Sequence, residues 1–259
     1  MRGPGTFQVS GEAYDRFVGR YSSSLAVALA DLAAVEAGTV VLDIGCGPGA
    51  LTAELVRRVG ASAVAAIDPS EPFVAECRRR NPEVDVRLGS AEALPFDDHS
   101  FDAALAQLVL HFVSDPPSAA GEMRRVLRPG GVAAACVWDF RDGMRLIRAF
   151  WDSALALDPE APDEASTLRF GRDGEIAELF AAAGFRDVTS GSITVEADYD
   201  GFDDLWAGFV GGAGPAGAFC VSLAPDLQDR LRDELRRRLG DPPGPFTLPA
   251  RAWYATGRA

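Results

Sequence analysis

The sequence predicts an α/β domain built on a parallel, doubly wound sheet, and three observations predict it. Short β-branched runs alternate with amphipathic helical stretches over the first 140 residues. The first run, Val40-Val41-Leu42-Asp43-Ile44, is nearly continuous in apolar character, as a strand buried on both faces must be. A glycine-rich turn at residues 45–49 then leads directly into a helix.

The elements follow in order. A helix is expected to begin near Ser22-Ser23-Ser24, to carry Leu25, Leu29 and Leu32 on one face, and to end at Gly38. After the first strand and its turn, a helix bears Leu51, Leu55 and Val59 and stops at Gly60. A second strand, Ala63–Ile67, ends at Asp68, and Phe73 and Cys77 mark the inner face of the next helix. Val86-Arg87-Leu88 reads as a third strand and Phe101–Ala106 as a fourth. Residues 117–127 look helical, Pro129-Gly130-Gly131 breaks them, and Val132–Trp138 is a fifth strand.

The pattern loosens after residue 139. Residues 157–165 are acidic and proline-bearing, which reads as a loop. Ile176, Leu179, Phe180 and Ala183 mark a helix closed by Gly184, and Ile193 and Val195 alternate like a strand. Phe202, Leu205, Trp206 and Phe209 fit an amphipathic helix, followed by a flexible stretch at 211–217. Leu227, Leu231, Leu235 and Leu239 mark a last helix, and Trp253-Tyr254-Ala255 a final strand. Residues 140–170 and 197–245 therefore read as insertions or caps on the core. Trp151, Phe202, Trp206 and Phe209 could line a pocket, but aromatics at helical spacing are more often core.

Composition narrows the partners. A net charge of −13 opposes binding to nucleic acid or to anionic membranes. The arginine clusters at 78–80 and 236–238 lie on predicted helices among acids and read as solvated faces. No run approaches the roughly 18 apolar residues of a membrane helix, and no signal-like segment opens the chain, so the cytoplasm is the expected location. Four scattered cysteines and two histidines offer no metal-ligand spacing. A small-molecule partner is expected, with the chain acting as a monomer or homodimer.

The turn carries the most information. Missing side chains between a buried strand and a helix let a ligand touch backbone, and Asp68 closes the second strand about where a ribose diol would lie. Together they indicate an adenosine-containing ligand. Gly45-x-Gly47-x-x-Ala50 also satisfies the dinucleotide fingerprint, which makes a nicotinamide oxidoreductase a rival. Asp43 would repel a pyrophosphate, Gly49 opens the turn further, and the chain ends without a second mononucleotide half.

Val41–Thr52 resembles motif I of class I S-adenosylmethionine-dependent methyltransferases, of the group (methyltransferase type 11, ubiquinone-biosynthesis-like) that acts on small molecules. Ala66-Ile67-Asp68-Pro69-Ser70 resembles the second-strand motif, Gly89–Phe96 the adenine turn, Phe101–Phe112 the fourth strand and the site beyond it, and Arg125–Gly131 the turn before strand five. The resemblance implies a seven-stranded Rossmann-like fold, a mostly parallel sheet with an antiparallel last strand and helical cap insertions. It divides the chain into a helical lid segment at 1–38, a cofactor-binding core at 39–139, and at 140–259 the rest of the sheet with its substrate cap. Its cofactor is S-adenosyl-L-methionine and its partner a small-molecule methyl acceptor.

The same resemblance assigns residues. Gly45, Cys46, Gly47 and Gly49 would cradle the cofactor, and Asp68, followed by Pro69, would grip the ribose. Asp43 would bond loop amides or reach the ligand's amino group through water. Ser90 stands where the family often has Asp, so Ser90 or Glu92 accepts from the adenine amino group while the Ala91 amide faces the ring. Gln107, closing strand four, either touches the methionine part or caps the strand. Tyr14 and Arg20 belong to the lid, where Arg20 would pair with the cofactor carboxylate. His111 and Asp139, after adjacent strands, form the expected catalytic dyad, a base and the acid that orients it. His99, in a turn among acids, reads as surface. A non-catalytic cofactor-binding module remains the alternative. A DNA methyltransferase is disfavoured, because Gln107-Leu108-Val109-Leu110 replaces the loop that grips a flipped base.

Overall fold

Runs of small and β-branched residues build the centre of the sheet. The computed structural model describes residues 11–259, with side chains from Tyr14 onward. The first ten residues of the expected lid segment lie outside the described residues. Seven strands order as β3-β2-β1-β4-β5-β7-β6. They are β1 (Val41–Ile44), β2 (Val64–Asp68), β3 (Asp85–Leu88), β4 (Phe101–Gln107), β5 (Leu127–Trp138), β6 (Arg186–Tyr199) and β7 (Phe246–Arg258). The first five pair in parallel, and β7 runs antiparallel to both β5 and β6. This is the expected mostly parallel sheet with its last strand reversed.

Alternation along the central strands divides the core between two faces. Ala103 and Leu105 of β4 join one apolar cluster with Leu25, Leu29 and Leu55, while Ala104 and Ala106 join the other with Met123 and Phe180. The first face is covered by α2 (Ser22–Leu32) and α3 (Ala50–Val59), the second by α5 (Pro116–Val126) and α8 (Glu175–Ala182). Alanines at the middle of β4 and β5 keep both layers close.

Boundaries differ from the predicted ones in places with physical reasons. Helix α2 ends at Leu32 and not at Gly38, because Ala33 and Ala34 cap it by bonding back to Leu29 and Asp31. Pro129-Gly130-Gly131 does not precede β5 but lies within it: Leu127 already pairs with Phe101, and the register shifts before Ala103. The stretch at 211–217 is not a loop throughout, since α10 (Gly214–Ser222) begins with Pro215 near its start, where a proline costs no helical bond.

The cap comprises α6 (Arg145–Leu157), α7 (Glu164–Thr167), α9 (Phe202–Val210) and α10, with α11 (Pro225–Arg238) outside it. Phe150 stacks on Phe209 at 4.3 Å between ring centroids, and Trp151 lies against Phe219 at 5.3 Å. Trp151, Phe202 and Phe209 are thus buried core and Trp206 flanks them; none lines the cavity at the carboxyl ends of the parallel strands. At the N-terminal end, α1 (Gly11–Arg16) is tied to α4 (Glu71–Arg80) by an Arg80–Asp15 ion pair of 2.6 Å. No single helix among the described residues is long and apolar enough to cross a membrane.

Candidate active site

The carboxyl ends of β1, β2, β3, β4 and β5 open on one cavity of about 220 Å³, which Gly45, Asp68, Gly89, Gln107 and Trp138 line from successive strands. In an open α/β sheet this edge, where strand order reverses between β1 and β4, is where ligands bind.

The turn after β1 is shaped by its hydrogen bonds. The amides of Gly45 and Cys46 both donate to the Ile67 carbonyl, at 2.7 and 3.0 Å, folding the turn back onto β2. Gly45 has φ +70°, and a β-carbon there would overlap Val109 Cγ2. Gly47, at φ +53°, faces open space. Gly49 and Cys46 hold the turn from behind and do not line the cavity: a β-carbon on Gly49 would come within 2.7 Å of Asn81 Nδ2, and Cys46 is buried.

Asp68 stands beside the turn. One carboxylate oxygen accepts from the Gly47 amide at 2.9 Å, the other from the Ser70 amide at 2.8 Å. Burial raises its pKa, and these two amides oppose the rise. A carboxylate offers about four acceptor sites, so two donors leave room for the two hydroxyls of a diol. Pro69 lines the cavity next to it.

Asp43 departs from its expected place. The turn amides it was to bond are taken by Asp68 and the Ile67 carbonyl. It lies beneath the turn, accepts from Thr52 Oγ1 at 2.6 Å, and leaves Oδ1 buried without a hydrogen-bond partner. Burial pushes its carboxyl up to about 8.

At the next corner Ser90, Ala91 and Glu92 all line the cavity. The Ser90 hydroxyl donates to Glu92, whose other carboxylate oxygen accepts from the amides of Ser114 and Asp115 at 3.0 and 3.4 Å. Gln107 lines the cavity at the end of β4. Its side-chain nitrogen donates to the Ser22 carbonyl at 3.1 Å, while Oε1 is buried and unpartnered. A buried acceptor of this kind calls for a donor from a ligand or water.

Tyr14 lines the cavity from α1 with its ring edge-on to Phe73 at 5.7 Å; burial raises its hydroxyl to about 12. Arg20 does not join it. Its guanidinium is held by both oxygens of Asp204, at 2.5 and 2.8 Å, and by the carbonyls of Arg16 and Asp198, away from the cavity wall. Phe17 and Val18 take the lining positions beside Tyr14.

The expected dyad is likewise divided. His111 lines the cavity, packed against Phe112 and Phe140, with Nδ1 buried and unpartnered. Burial pushes its pKa down to about 3, so the ring is neutral at pH 7. Asp139 faces elsewhere: Arg251 donates to one of its oxygens at 2.5 and 2.9 Å, and the amides of Arg141 and Asp142 donate to the other. It fixes the turn after β5 to β7 and lies off the cavity wall. His99 is exposed, as its turn suggested.

One acidic wall residue was not singled out from the sequence. Glu164 sits within the acidic stretch read as a loop, where Asp158, Glu160 and Asp163 look no different. Folding makes it distinct, because it is buried and accepts from Trp151 Nε1 at 2.7 Å. Burial raises its carboxyl to about 7.

The sequence model described as "Methyltransferase domain" matches residues 42–135, the segment that supplies this cradle. A nocamycin O-methyltransferase of Saccharothrix syringae is 32% identical over 203 residues, covering 68% of this chain and 71% of that protein. The chain belongs to the class I S-adenosylmethionine-dependent methyltransferases. An uncharacterised methyltransferase of Mycobacterium tuberculosis is 44% identical over 102 residues, covering 39% of this chain and 40% of its relative. The chain thus spans well under half the length of the curated relatives it matches first. Among solved structures, a SAM-dependent methyltransferase from Thermotoga maritima superposes with a TM-score of 0.51 at 21% identity, covering 96% of this chain and 99% of that one. That likeness shows the fold.

The wall suits the cofactor of this family. Asp68 has acceptor capacity for a ribose diol, Gln107 Oε1 is an unpaired acceptor for an ammonium group, and Gly47 leaves space a side chain would fill. A dinucleotide reading does not survive, since β7 runs antiparallel to β5 and β6 where a second parallel half would be required.

Proposed function

We propose that the chain transfers the methyl group of S-adenosylmethionine to a small-molecule acceptor held beneath the cap, with His111 receiving the acceptor's proton. One observation carries this reading: a single cavity is walled by Gly45, Gly47 and Asp68 on one side and by His111 with apolar cap residues on the other. When bound, the cofactor supplies a methyl group already activated on a positive sulfur, so alignment of the nucleophile and exclusion of water are the protein's main tasks.

Tyr14, Phe17, Trp138 and Phe140 shield that space from water. His111 is neutral and has a free ring nitrogen, so it can accept a hydrogen bond from a hydroxyl nucleophile and take its proton as the new bond forms. Asp139, held by Arg251, plays no part in orienting it. An oxygen nucleophile is the first class to try, because the relative matched over two thirds of both chains is an O-methyltransferase.

Calorimetry with S-adenosylmethionine and S-adenosylhomocysteine, followed by S-adenosylhomocysteine release across phenols, alcohols and amines, tests the proposal. Binding with turnover is expected. Binding without turnover across the panel would assign the chain as a non-catalytic cofactor-binding module, and no binding at millimolar cofactor would end both readings.

A further inference from the structure

The cap contributes one ionisable group to the cavity, and its surroundings are unusual for a carboxyl. Glu164 opens α7 and is only 3% exposed. Oε2 accepts from the indole nitrogen of Trp151, a fully buried residue that packing holds in place. Oε1 has no hydrogen-bond partner among the described residues. Phe140, Ile147, Trp138 and Phe17 provide the apolar wall of the same cavity.

The nearby cation, Arg148, offsets the burial only in part. Arg148 is engaged by Asp152 at 2.9 Å and by Asp163 at 2.9 Å. Among the described residues, no arginine lines the cavity, and the chain contains no lysine. A carboxyl this buried with one donor retains unspent acceptor capacity, which is costly unless something in the cavity uses it. An anionic acceptor, by contrast, would meet Glu164, Glu92 and Asp68 with no cation on the wall to offset them.

We propose that Glu164 is the residue that selects the methyl acceptor: it receives an O–H or N–H donor from an apolar molecule, and the cavity rejects molecules bearing a carboxylate or phosphate. This rests on the methyl-transfer reading for the word acceptor, but the binding preference itself does not need turnover. Glu164→Gln is the informative variant. The amide oxygen still accepts from Trp151, while the amide nitrogen turns a donor toward the cavity in place of an acceptor.

The test uses the full chain saturated with S-adenosylhomocysteine and ligand-observed NMR on size-matched sets of phenols, benzylamines, anisoles and benzoates. Wild type is expected to bind phenols and benzylamines at least tenfold more tightly than the matching anisoles, and benzoates no more tightly than anisoles. Glu164→Gln is expected to shrink the donor preference below threefold, with an unchanged melting temperature and S-adenosylhomocysteine affinity. A preference that persists in Glu164→Gln, benzoates that bind as well as phenols, or fragments that do not distinguish wild type from variant would overturn the proposal. A variant that melts early is replaced by Glu164→Asp, which keeps the carboxyl and must keep the preference. Wild type that fails to bind S-adenosylhomocysteine yet shows the preference would sink the methyl-transfer reading and leave this one standing.

Discussion

The two sides of the cavity are built on opposite principles. On the side of β1 to β4, most polar groups are bound to one another, Asp68 to two amides, the turn amides to Ile67, Ser90 to Glu92, and Glu92 to the Ser114 and Asp115 amides, with Asp43 Oδ1 and Gln107 Oε1 the exceptions. On the cap side the wall is aromatic and aliphatic, and His111 and Glu164 each keep one polar atom without a partner. The first arrangement fixes a shape for one ligand. The second supplies an apolar volume with a few points of recognition, so that acceptors can differ while the cofactor does not.

The sharpest way to break this comparison is at Gly45. Gly45→Ala forces a left-handed backbone on an alanine and drives its methyl into Val109, so the turn must open. Affinity for S-adenosylhomocysteine should fall by about 100-fold or more, measured by calorimetry, which corresponds to roughly 2.7 kcal/mol. A change below fivefold would show that the turn is not rigid.

Asp43 tests whether the support beneath the turn is charged. Between about pH 4, where the unfolded carboxyl ionises, and about pH 8, the folded chain holds a proton that the unfolded chain has released. The unfolded state then binds fewer protons, so this residue's contribution to stability falls as pH rises through that window. Asp43→Asn removes the slope. In urea titrations its stability relative to wild type should climb by on the order of a few kcal/mol from pH 4 to 8. Parallel pH profiles would mean that Asp43 is ionised in the fold.

On the acceptor side, His111→Ala should cut turnover by tens of fold, as loss of a general base does, with S-adenosylhomocysteine affinity held within about threefold. Wild-type turnover would remove His111 from the mechanism, and a matching loss of cofactor affinity would erase the division between the two sides. The smallest effect is expected at Arg20. Its pair with Asp204 is partly exposed, so Arg20→Ala should cost about 0.5–1 kcal/mol of stability and leave cofactor affinity unchanged. A tenfold loss of affinity would return Arg20 to the cofactor.

Legibility differed in the same way between the two sides. The cofactor side was readable because its requirements are local: a strand, a glycine turn and an acid at fixed spacing. Gly45, Gly47, Asp68, Ser90, Ala91, Glu92 and Gln107 all line the cavity. What misled was the expectation that Asp139, closing the strand beside β4, faces the same cleft as His111, and that Asp43 bonds the loop amides. Asp43 lies under the turn, and Asp139 is claimed by Arg251, which is 112 residues away in sequence.

The sequence by itself determined the alternation of strands and helices and the glycine turn with its acid, because hydrophobic period and glycine placement act over a few residues and fold largely the same way wherever they occur; the reversed final strand was implied by the family resemblance. Tertiary structure alone decided which polar groups meet. Arg20 met Asp204, Arg251 met Asp139, and Trp151 met Glu164, leaving His111 without its expected acid. An ion pair or a buried hydrogen bond depends on distance in space, and no spacing along the chain encodes which of many acids a cap will bring inside.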